Sequence, residues 1–174
     1  VSEVASSIIC RNHPIGRVHQ SCIRGKWGDP CEKCWKCFRK ITLMSALDGN
    51  EMPPSSIEMI RKSKEVKLRL TEDKPIKHEG VLAYSLERAS GGGEIADSLR
   101  LLTRSGNIKT DWMQHWYPKS ADLIDPSYRN YTESILIELL GSMDQNHIQT
   151  LESWSNNNDS DREDKLVRFL KLID

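Results

Sequence analysis

The sequence predicts a mainly α protein in which a four-cysteine zinc knuckle leads into a helical carboxy-terminal domain. Three observations predict it. Cys22, Cys31, Cys34 and Cys37 stand in the spacing C-x8-C-x2-C-x2-C. Beyond them, apolar residues recur mostly three and four positions apart, the helical period. Capping residues, glycines and prolines punctuate these runs where helices would start and stop.

The chain has 174 residues, enough for one domain of ordinary size or two small ones. The expected division is a zinc-binding part over residues 1–50 and a helical domain over residues 51–174. Apolar residues make up 37% and charged residues 29%, the balance of a globular chain rather than a disordered one. No apolar run approaches the roughly 18 residues of a membrane span. Residues 1–10 lack the basic start and long apolar stretch of a signal peptide. A cytoplasmic protein is the expectation, with no membrane partner. The chain begins at Val1 and its first methionine is Met44, so it reads as a piece of a longer protein whose active site lies elsewhere. Net charge is zero but uneven: residues 1–47 hold eight Lys and Arg against three Asp and Glu, and the remainder seventeen against twenty-two. The basic third either faces a phosphate-bearing ligand or nucleic acid, or faces the acidic part of its own chain.

All five cysteines lie between positions 10 and 37. A disulfide framework would spread them across the fold. Short spacing instead lets thiolates converge on one ion, and zinc suits four thiolates in a tetrahedron. Gly25 and Gly28 permit a tight turn after the first ligand. Asp29 followed by Pro30 reads as the turn that delivers Cys31. Lys26, Lys33 and Lys36 favour thiolate over thiol. An iron–sulfur cluster, a redox Cys-x-x-Cys pair and four metal-free thiols remain as alternatives. Cys10, beside Ile8 and Ile9, reads as a buried small residue. His19, three residues before Cys22, is a possible substitute ligand.

The remaining elements follow in order. Phe38, Ile41, Met44 and Leu47 have helical spacing and anchor the knuckle to a core. Pro53 and Pro54 break the chain. Ser55 with Glu58 forms a capping box that opens a helix through about Lys64. Val66, Leu68 and Leu70 alternate with Lys67 and Arg69, which predicts one short strand. Residues 78–89 and 94–104 read as two helices separated by glycines 91–93, the second with Ile95, Leu99 and Leu102 inward. Trp112 and Trp116, four apart, share a helix face. With Tyr117, His115, Lys119 and Arg129 they form either core or a stacking platform for a base, and core is the commoner outcome for such clusters. Residues 127–140 predict an amphipathic helix with Tyr131, Ile135, Leu136, Leu139 and Leu140 inward, ended by Gly141. Ser142 begins a helix through about Trp154. After a polar loop, Ser160 with Glu163 caps a last helix with Leu166, Phe169 and Leu170 inward. The five histidines are scattered, and no catalytic constellation stands out.

The stretch from Ser21 and Cys22 to Lys40 resembles the zinc motif of 7-cyano-7-deazaguanine synthase and its relatives. That family places a proline just before the second cysteine, as Pro30 does here, and basic residues just after the fourth, as Arg39 and Lys40 do. There the motif closes a PP-loop ATP-pyrophosphatase domain. The resemblance covers about residues 1–47. It implies that the chain is the tail of an α/β PP-loop protein, with a structural zinc and with ATP and magnesium belonging to the parent protein. It also implies adenylation of a small-molecule substrate held by the missing amino-terminal part. Charge and analogy then set Arg24, Lys26, Arg39 and Lys40 near the nucleotide or its phosphates. The sequence departs from the family in lacking a Ser-Gly-Gly-x-Asp-Ser loop before Cys22. Ser90 with Gly91, Gly92 and Gly93 is only superficially similar, because charged, helix-prone residues precede it rather than a buried strand. A non-enzymatic zinc module that binds nucleic acid or a protein is the alternative.

Overall fold

Helices form along this chain where apolar side chains can share one face. A computed structural model describes residues 1–14, 16, 20–154 and 161–173. Among the described residues the architecture is helical, and the β pairing is limited to isolated bridges between Lys26 and Asp29 and between Trp116 and Ser142. Among the described residues, no helix is long and apolar enough to cross a membrane. The chain divides into two compact units, each assembled from two stretches of sequence. One comprises Val1–His19 and Lys109–Ser155, the other Gln20–Ile108 and Asn156–Asp174.

The second unit carries Cys22, Cys31, Cys34 and Cys37. Its helices are α2 (Trp35–Leu47), α3 (Pro54–Lys62), α4 (Lys64–Thr71), α5 (Glu79–Arg88), α6 (Gly93–Leu102) and α9 (Arg162–Ile173). The remaining helices, α1 (Glu3–Asn12), α7 (Arg129–Leu140) and α8 (Gln145–Glu152), belong to the other unit. α2 packs along α5, and α6 packs along α9. Cys22, Cys34 and Cys37 belong to the same apolar cluster as Phe38, Leu70, Leu86 and Phe169.

Two local expectations fail here for physical reasons. Residues 66–70 are helical within α4, not a strand. Val66 and Leu70 are four apart and both fully buried, so the helical face satisfies them, while Leu68 is half-buried. The capping box at Ser55 and Glu58 does not form. Pro54 occupies the first turn and Pro53 is the cap, without a side-chain bond. Glu58 instead accepts a hydrogen bond from Lys62 at 2.6 Å. The cap proposed at Ser160 and the loop before it lie outside the described residues.

The glycine run joins helix to helix, as its flanking residues predict. Arg100, from α6, donates to the carbonyls of Leu86 at 3.0 Å, Ala89 at 2.6 Å and Gly91 at 3.1 Å. These include orphan acceptors at the end of α5. Gly92 sits at φ +84°, and a Cβ there would lie 2.5 Å from the Ala96 Cβ. α9 closes the unit with Phe169 and Ile173 buried, Lys67 donating to the Ile173 carbonyl at 3.0 Å, and Arg162 donating to the Asp73 carbonyl at 3.0 Å.

In the other unit, Ser2 caps α1 by accepting from the Ala5 N–H at 2.9 Å, and its hydroxyl donates to the Met113 carbonyl. Trp112 and Trp116 do not share a helix face. A 3-10 turn, Asp111–Gln114, ends before Trp116, which is buried and bridged to the 141–143 segment. That extended pairing also delays α8, which starts at Gln145 with Asp144 as its cap. Trp112 meets Trp154 edge-on with ring centroids 5.5 Å apart. His115 bonds the Leu140 carbonyl at 2.8 Å and stacks on His147. Lys119 is paired to Glu152 at 2.5 Å. In α7, Leu140 is buried, but Tyr131 is 71% exposed and Leu139 is also exposed. Tyr131 and Leu140 are nine residues apart, which at about 100° per residue puts them on opposite faces.

Two substitutions test this packing by urea unfolding. Phe169→Ala should cost about 3–5 kcal/mol, the usual range for a large core truncation. Gly92→Ala should cost more than about 1 kcal/mol, because it meets both a positive φ and a close neighbour. A Gly92→Ala midpoint at or above that of the unmodified protein would contradict the loop geometry.

Candidate metal centre

The centre is built from one short loop and one helix end. After Cys22 the chain turns back through residues 25–29, where the Asp29 N–H donates to the Lys26 carbonyl at 3.0 Å. Gly25 and Gly28 are both required, for different reasons. A Cβ at Gly25 would lie 2.2 Å from the Asp29 carbonyl oxygen, whereas Gly28 has open space but φ +77°. Gln20 staples this loop. Its amide donates to the Cys22 and Lys26 carbonyls, both at 2.9 Å, and accepts from the Gly28 N–H at 2.8 Å. Sequence reasoning passed over Gln20, since a single glutamine carries no local signal of these three bonds.

Cys34 has two roles. It is the N-cap of α2, with its Sγ accepting from the Cys37 N–H at 3.4 Å. The helix then places Cys37 one turn on, so the two sulfurs are 3.5 Å apart, and Cys31 Sγ reaches Cys37 Sγ at 3.8 Å. All four sulfurs, including that of Cys22, lie within 4.8 Å of one another. A zinc tetrathiolate with bonds of about 2.3 Å has sulfur–sulfur edges of roughly 3.8 Å. The cluster can therefore hold a metal ion such as zinc. A multi-iron cluster interposes iron and sulfide between its thiolates and spreads them further. The five cysteines are free thiols, and Cys10 lies on α1 in the other unit. It is half-buried rather than buried. His19 lies outside the described residues.

The four thiols differ electrostatically. A backbone hydrogen bond from Cys31 holds the Cys22 thiol down at about 6. Burial pushes the thiols of Cys34 and Cys37 up. Without metal the cluster would keep protons on its buried members, and a cation must displace them.

The basic residues surround this centre unevenly. Arg24 pairs with Glu65. Together with Lys26 it lines an open groove of about 1030 Å³ beside Cys31 and Cys34. Arg24 and Arg39 line a second cavity of about 500 Å³ with Cys22, Cys34 and Trp35. Lys40 is half-buried on α2. At the tip of the loop Ile23 is 93% exposed and Trp27 is 74% exposed.

Residues 1–155 match the model of a family of unknown function, DUF6395, and the chain belongs to that family. No curated protein and no solved structure matches the chain.

Two measurements test the centre. Cys31→Ser should lose stoichiometric zinc by elemental analysis and melt the loop and the start of α2 by hydrogen exchange. In the metal-free protein, the lowered Cys22 thiol contributes stability that is complete above the ordinary thiol range and lost as pH falls through about 6, a loss that urea midpoints across that range should show. Zinc release to a chromophoric chelator should rise as pH falls, because protons compete with the metal for the four thiolates. A Cys31→Ser protein that stays folded and metal-loaded would refute the assignment.

Proposed function

We propose that this DUF6395 member holds one structural zinc ion on Cys22, Cys31, Cys34 and Cys37. We further propose that the helical unit organised by that ion is the zinc-bearing part of an ATP-dependent enzyme of the PP-loop kind. The carrying observation is the convergence of four sulfurs in the C-x8-C-x2-C-x2-C spacing. Four thiolates fill a tetrahedron and leave no open position for water or substrate, so such a zinc holds structure rather than performing chemistry. The motif from Cys22 to Lys40 supports the finer reading through its resemblance to the deazaguanine-synthase type. In that reading ATP adenylates an oxygen of a small-molecule substrate, and Arg24, Lys26, Arg39 and Lys40 face the nucleotide or its phosphates. Residues 90–93 are not its phosphate loop. They follow a helix rather than a strand, and Arg100 binds their backbone.

A second reading is favoured by one observation. Ile23 and Trp27 project from the loop beside Arg24 and Lys26, which suits a zinc module that stacks on and neutralises a nucleic acid.

Calorimetry of the intact parent protein with magnesium-ATP and with a 20-nucleotide RNA, each at two salt concentrations, separates the two. Saturable ATP binding without RNA affinity is expected. RNA binding that falls steeply with salt, without ATP binding, would replace the enzyme reading by the nucleic-acid module.

A further inference from the structure

The cavity of about 500 Å³ beside the metal centre has a composition that the zinc does not explain. Five cationic side chains line it, Arg24, Lys36, Arg39, Arg69 and Lys77, against one lining carboxylate, Glu65. They come from four places in the sequence: the knuckle, α2, α4 and the segment before α5. Glu65 pairs with Arg24, and Asp73 accepts from Arg69 at 3.2 Å. No described carboxylate pairs with Lys36 or Lys77. The lining thus holds five cations against one carboxylate, with Lys36 and Lys77 exposed.

Two further features point the same way. Trp35 lines the cavity, its side chain is almost wholly buried, and its indole Nε1 has no hydrogen-bond partner. A buried donor of this kind is costly unless a ligand or water accepts from it. His78 also lines the cavity and sits at φ +59°, a left-handed conformation uncommon for a residue with a side chain. Such outliers cluster at binding sites.

We propose that this cavity binds a small, multiply charged phosphate-bearing anion. Arg39 is itself largely buried, at 7% exposed, and its planar fork suits two oxygens of one phosphate. Lys36 and Lys77 are exposed at the rim, where a flexible ammonium can follow the remaining charge. A volume of this size accommodates a di- or triphosphate rather than a polymer strand. This deepens the ATP reading above, by giving the phosphates a place in the helical unit.

The test is calorimetry of the zinc-loaded full chain with inorganic pyrophosphate in 0.15 M salt. One-to-one saturable binding is expected, weakened at least tenfold by Lys77→Glu and unchanged by Lys171→Glu. The second variant carries the same charge change on the exposed side of α9. Zinc content and thermal melting of each variant show that weakening is not unfolding. Adding ATP and tripolyphosphate distinguishes the sources. A preference for ATP supports a nucleotide, and equal affinity supports a free polyphosphate, which removes the ATP reading but keeps the anion site. The anion site is refuted by no binding at millimolar pyrophosphate. Equal losses in the two variants refute it as well.

Discussion

Everything in the larger unit depends on four sulfur atoms being held within one tetrahedron's reach of each other. Thiols packed so closely bring together groups that repel once ionised and that lose hydration once buried. The protein meets this constraint with backbone. The Gly25–Gly28 turn folds Cys22 back towards Cys31, the Gln20 amide fixes that turn, and the first turn of α2 sets Cys34 and Cys37 on one side. Because Cys34 is also the cap of α2, the ligand set and the helix start are one feature. Disturbing either disturbs the other.

The cluster is also continuous with the apolar core. Three of the four cysteines are buried among residues of α2, α4, α5 and α9. A small unit gains limited stability from its core alone, and structural zinc sites can add about 10 kcal/mol or more of apparent binding free energy. A metal bound there and the core would therefore support the same helices, with α2 packed along α5.

What was legible in the sequence was local. The ligand set needs only residues 22–37, and its spacing shows directly. Helices α5, α6 and α9 announce themselves through glycines and apolar intervals. The misreadings arose where one pattern fits two structures. Val66, Leu68 and Leu70 satisfy a period of two as well as they satisfy one face of a short helix. Ser55 and Glu58 match a cap, but Pro54 starts the helix earlier. The list of inward residues in α7 asked one helix to bury two opposite faces. Other features are long-range and have no local signature. Lys77 and Arg69 reach the neighbourhood of Cys22 only after α2, α4 and the segment before α5 come together, and the three bonds of Gln20 exist only once the turn has closed.

The interleaving of the two units has a consequence for biosynthesis. α1 packs against the 3-10 turn at residues 111–114 and against α7, which emerge from the ribosome about 100 residues later. At ordinary elongation rates of about 5–20 residues per second, that is a wait of roughly 5 to 20 s. During it, Val4 and Ala5 have no native partner, while the cysteine loop and α2 are already out. A metal ion could therefore bind the cysteine loop before α1 is buried. The nascent chain would pass through a state in which the cysteine loop is flanked by an undocked α1, a window in which chaperones can act on that helix.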